Sequence, residues 1–88
     1  MTTEPHQTRI KRLRMRSMRR GIKEMDLILS GWAEARLDAL GAPALDLYDA
    51  LLTENDHDLY QWVTGQTPCP ARYLELVTDI AGHARSAV

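Results

Sequence analysis

The chain has 88 residues, 44% of them hydrophobic and 26% charged. A chain of that length holds one core and buries roughly 60–65% of its unfolded surface, which excludes a second domain and a deep catalytic cavity. Net charge is −1, yet residues 1–23 carry eight Lys or Arg against Glu4 alone, while residues 24–88 carry three Arg against eleven acids. Such a split points to a basic arm with a partner, or to two faces with different partners.

The first helix is expected over Thr8–Arg20, where Ile10, Leu13, Ser17 and Met18 form a narrow apolar stripe among arginines. Gly21 fits its C-terminus, because a residue without Cβ takes the left-handed conformation cheaply. Arg16, Arg19 and Arg20 then complement the dipole of the last turn. A second helix follows over about Ile22–Leu40, with Met25, Ile28, Leu29 and Trp32 on one face and Glu24 and Asp26 in its first turn. Gly41 and Pro43 read as a stop and a start. A third helix over Pro43–Leu52 carries Leu45, Tyr48 and Leu52. Asp56 is placed as the N-cap of a short fourth helix that holds Leu59, Tyr60, Trp62 and Val63 and stops at Gly65. The fifth, Ala71–Arg85, repeats Tyr73, Leu74, Val77, Ile80, Ala81 and Ala84 at helical spacing. No strand alternation is present, so the expectation is an all-α, five-helix bundle. Its single domain covers residues 9–86, behind a flexible lead at 1–8.

Enzymatic constellations fail one by one. His6, His57, His83 and Cys69 lack metal-ligand spacing, and the lone cysteine has no internal disulfide partner. No nucleophile elbow, P-loop or dinucleotide fingerprint occurs. No apolar run reaches membrane-spanning length and no secretory h-region is present, so no membrane insertion is expected. Two readings of the basic first helix stay open: a surface for nucleic-acid phosphates, or a solvated cationic face. The aromatics that would stack bases, Tyr48, Tyr60, Trp62 and Tyr73, fall at helix-core positions instead. In "RRGIKEMD", a roughly helical path would bring Arg20, Gly21 and Glu24 onto one face. There a guanidinium fork, a carboxylate and a glycine that admits a partner's backbone would form a contact surface. A capping glycine between dipole-compensating charges is the equal alternative.

Arg20, Gly21 and Glu24 also spell R-G-x-x-E, and the chain resembles the SdhE family of succinate dehydrogenase assembly (flavinylation) factors. "RLRMRS" (Arg12–Ser17) is similar to the family's first-helix R-L-x-x-x-S. "LYDALL" (Leu47–Leu52) is similar to its third-helix stretch, and "DHDLYQW" (Asp56–Trp62) to its D-x-D-L-x-x-W. The likeness covers about residues 9–83. It implies a five-helix protein without catalytic, metal or tightly bound cofactor sites of its own. Such a protein binds the free flavoprotein subunit of succinate dehydrogenase, and in some bacteria of fumarate reductase; for this chain a monomer is expected. It promotes covalent attachment of FAD, the client's cofactor, to that subunit. By the same resemblance Arg20, Gly21 and Glu24 form the docking patch, Arg12, Arg16 and Arg19 extend it, and Asp26 lies just behind. A bulky side chain at Gly21 is expected to block docking at little cost to folding. The chain departs from some members in closing at "HARSAV", without a charged tail. The short lead is read as that of a bacterial cytoplasmic member. Nucleic acid is not an expected partner on this reading. Leu27 and Leu37 are left as spare apolar side chains.

Overall fold

A computed structural model of the chain describes residues 5–86 as five α-helices, with no strand among the described residues. The helices are α1 (His6–Arg16), α2 (Lys23–Arg36), α3 (Ala42–Leu51), α4 (Asp56–Val63) and α5 (Leu74–Ser86). Leu37–Ala39 and Ala71–Tyr73 form 3-10 turns at the end of α2 and the start of α5. The all-α reading therefore holds, and its element order with it. Residues 1–4 of the lead and residues 87–88 of the tail lie outside the described residues, and α1 begins within the lead at His6.

The main departure is the end of α1, which stops at Arg16 instead of Arg20. Ser17 terminates it. Its hydroxyl is fully buried, donates to the Leu13 carbonyl at 2.8 Å and accepts from the Tyr48 hydroxyl at 2.5 Å. The polar member of the apolar stripe is thus a bolt between α1 and α3. The left-handed residue that reverses the chain is Arg19 (φ 56°), and Gly21 has no positive φ. Gly21 is therefore not the left-handed cap. A backbone bond from Arg19 N to the Asp26 carboxylate, at 3.0 Å, helps hold the strained residue.

α2 is the central element, packed against α1, α4 and α5. Met25, Leu29, Trp32 and Ala33 supply its buried face, at the spacing the sequence shows. The Trp32 ring lies 4.8 Å from that of Tyr48 on α3, and its Nε1–H donates to Asp79 on α5 at 2.8 Å. A buried indole N–H needs such a partner, because leaving it unbonded would forfeit about 1–3 kcal/mol. Leu37, expected to be spare, is fully buried; Leu27 is 67% exposed. Gly41, extended at φ −82°, begins α3 with proline in its first turn, and Gly65 (φ 78°) ends α4 where predicted. The N-cap of α4 is Asn55, whose side chain accepts from His57 N at 2.8 Å; Asp56 is the first helical residue and serves another purpose.

Candidate docking site

The R-G-x-x-E stretch lies on the connector between α1 and α2 and on the first turn of α2. Ile22 is extended (φ −117°, ψ 126°), so the path is not helical and the shared face argued from i,i+4 spacing does not form. Tertiary contacts organise the stretch instead. Arg20 points inward. Its Nε donates to Asp56 Oδ1 at 2.8 Å, Nη1 to the Arg16 carbonyl at 3.1 Å, and Nη2 to the Leu52 carbonyl at 3.1 Å. The Gly21 amide donates to the other Asp56 oxygen at 2.6 Å. Glu24 stands exposed on the first turn of α2, the helix end where an acid is favoured, and it makes no ion pair among the described residues.

Gly21 itself is exposed, and a Cβ built on it would sit 3.1 Å from Asp56 Oδ2. That distance is tight enough to make the carboxylate yield, so the glycine is there for close approach rather than for turn geometry. A bulky residue here would press on that carboxylate.

The other arginines of α1 are engaged as well. Arg12 and Arg16 both meet Asp49 on α3, Arg12 at 3.5 Å. Arg9 meets Asp46 and Asp49, while Arg14 reaches Glu34 and Asp38, each at 3.5 Å. Burial pushes the Asp49 carboxyl up, but the bonds and charges of Arg16 and Arg12 outweigh it and hold the group below its ordinary value. Asp26 is tied to Arg19 N and receives the Ser30 hydroxyl, so it braces the connector. Arg19, Lys23 and Glu24 are the exposed charges about Gly21, and Met18 (43% exposed) adjoins them in the chain.

The structure thus brings Arg12, Arg16, Arg20 and Gly21 together through Asp49 and Asp56, with Glu24 outside that network. Sequence reasoning missed the two acids. Their signal was the acid excess beyond residue 24, which mirrors the basic excess before it. The opposed blocks are the two sides of one fold. Elsewhere Trp62 and Tyr73 stack 6.0 Å apart, Arg72 covers the Tyr73 ring, and the Tyr73 hydroxyl donates to Glu54 at 3.0 Å. Burial, with Glu54 beside it, raises the Tyr73 pKa, and burial also pushes the Cys69 thiol up. No helix among the described residues is long and apolar enough to cross a membrane, and no cluster of potential metal ligands occurs among them.

What fold and connector define is a small helical bundle in which most arginines of the basic block are paired with acids of the later helices, with Gly21 exposed on the connector. Residues 11–84 match the model of a family described as flavinator of succinate dehydrogenase (Sdh5), and the chain belongs to that family. It is 45% identical over 77 residues to a succinate dehydrogenase assembly factor 2, mitochondrial, of Meyerozyma guilliermondii, covering 84% of this chain and 57% of the relative. The corresponding protein of Candida glabrata is 48% identical over 65 residues, covering 70% and 42%. A factor 2-A of Drosophila erecta is 38% identical over 87 residues, covering 96% and 54%. The chain spans about half the length of the curated relatives it matches. The family is one of assembly factors, not of enzymes.

One expectation is overturned here. The short lead was read as that of a bacterial cytoplasmic member, whereas the relatives are named as mitochondrial factors of eukaryotes. A chain matching half of its relatives' length gives no measure of what precedes α1, so lead length does not report location.

Proposed function

We propose that this protein binds the free flavoprotein subunit of succinate dehydrogenase, or of fumarate reductase where that is the client, and promotes covalent attachment of FAD to it. It acts as a monomer through the surface around Arg20, Gly21 and Glu24, with Arg12, Arg16 and Arg19 alongside and Asp26 behind. Membership of the flavinator family, over a match that includes the whole R-G-x-x-E stretch, carries this reading. The effect on the client is a population shift: the factor binds the arrangement competent for flavin attachment more tightly than the others.

FAD on this reading is held by the client and not by the factor. In support, Arg9, Arg12, Arg14, Arg16 and Arg20, the cations that would meet a dinucleotide's phosphates, already face carboxylates. The same pairing counts against the nucleic-acid reading, since a phosphate at any of these five arginines would have to displace a native acid.

The test is in-gel flavin fluorescence of the denatured flavoprotein subunit from cells with and without the gene, complemented with Glu24→Ala. Glu24 is exposed and outside the ion-pair network, so this variant separates docking from folding better than Gly21→Arg, which also presses on Asp56. The expected result is an unchanged melting temperature with covalent flavin near the deletion level, and a client affinity lower by about tenfold or more. Full flavin attachment in the deletion strain would remove the proposal.

A further inference from the structure

We infer that Arg20, the arginine of the R-G-x-x-E motif, is an internal clamp and not a contact for the partner, and that Asp56 is the positioning residue that sets the docking surface. Three helix ends converge on the Arg20 guanidinium. The Arg16 carbonyl belongs to the last residue of α1, and the Leu52 carbonyl to the residue closing α3. Such terminal carbonyls have no partner within their own helices and carry the negative end of the dipole. Asp56 opens α4, where the dipole favours an acid, and meets Arg20 through both Nε (2.8 Å) and Nη2 (2.7 Å). All three guanidinium nitrogens are therefore engaged, and the two side chains are only 12% and 16% exposed.

The second oxygen of the same carboxylate accepts the Gly21 amide. One side chain on α4 therefore fixes both the side chain of residue 20 and the backbone of residue 21. Gly21 lacks the Cβ that would crowd this carboxylate, and the chain then enters α2 with Glu24 turned outward. The motif is divided: its arginine and glycine amide are held from inside, and its glutamate and glycine surface face a partner. This assignment rests on the docking proposed above, and it moves Arg20 from the contact to the support.

Two measurements test it. The first is amide hydrogen exchange at Gly21. Protection of about 100-fold is expected in the wild type, with loss in Asp56→Asn while amides of α2 such as Leu29 keep theirs. An unprotected Gly21 amide, or one indifferent to Asp56→Asn, overturns the clamp. The second is affinity for the FAD-free flavoprotein subunit of succinate dehydrogenase, at a temperature where circular dichroism shows each variant folded. Asp56→Asn and Arg20→Lys should each weaken binding about tenfold, and the double variant no more than either alone, because both break one device. Losses that multiply, or a folded Asp56→Asn that binds like wild type, assign Arg20 to the contact and refute the inference. Should Asp56→Asn fail to fold, wild-type exchange at Gly21 still decides. Should wild type fail to bind the subunit, the proposed function falls, and the exchange experiment judges the clamp alone.

Discussion

Tyr48→Phe removes one hydroxyl from the middle of the bundle, and its effect should change with pH. At neutral pH the Ser17 oxygen loses the bond it accepts from Tyr48 while keeping its own donation to the Leu13 carbonyl. One neutral hydrogen bond lost at a fully buried site costs about 1 kcal/mol. In alkali a second term opposes this. Burial pushes the Tyr48 pKa up to about 12 from 10.0, with the Ser17 bond and the charges of Arg20 and Arg16 pulling back. A group whose pKa is raised in the fold contributes its full stability below the unfolded value and loses it as pH climbs toward the folded one. At about pH 11 the wild type has therefore forfeited about 1.4 kcal/mol through this residue, and the phenylalanine variant none. The variant, about 1 kcal/mol less stable at about pH 8, should match or overtake wild type by about pH 11. Urea unfolding followed by tryptophan fluorescence and circular dichroism at both pH values measures this. A wild-type advantage that stays constant across that range would refute the reasoning.

Two further outcomes concern charge and backbone. Asp49→Asn should destabilise the bundle by about 1 kcal/mol near neutrality, because Arg12 and Arg16 lose a shared carboxylate. Its folded pKa is held below 3.8, so that contribution is present above this value and vanishes as pH falls through the lowered one; acid titration of stability should show the two proteins converging. Arg19→Gly should raise stability by about 0.5 kcal/mol, roughly 3 °C in melting temperature, since glycine adopts the observed φ of 56° without the steric cost. A calorimetric fall in melting temperature would contradict it.

Much of the fold was legible because α2, α3 and α5 repeat apolar residues at helical spacing, and because Gly41, Pro43 and Gly65 sit where helices begin and end. What was not legible depended on partners far along the chain. Ser17 looked like one more position of a helix running to Arg20, and only Tyr48 beneath it shows why the helix stops there. The left-handed residue went to Arg19 instead of the nearest glycine, because Asp56 claims the Gly21 amide. Asp56 resembled a cap by composition, but Asn55 takes that role and frees the acid for Arg20. The motif itself was visible in the sequence, whereas the inward turn of its arginine was not, since local spacing says nothing of an acid on another helix.

The pairing of α1 with α3 also bears on the chain before it folds. The first 23 residues are a cationic block and the remainder is predominantly anionic. Attraction between the blocks acts on the unfolded polymer, at a range of about 10 Å in 0.1 M salt. At low ionic strength the denatured ensemble is therefore drawn in on itself, with the basic end already searching the acidic middle where Asp46 and Asp49 will receive it. Added salt swells that ensemble more than it disturbs the packed bundle. Ionic strength thus governs the dimensions of the denatured chain, and through them the steepness of its unfolding by urea.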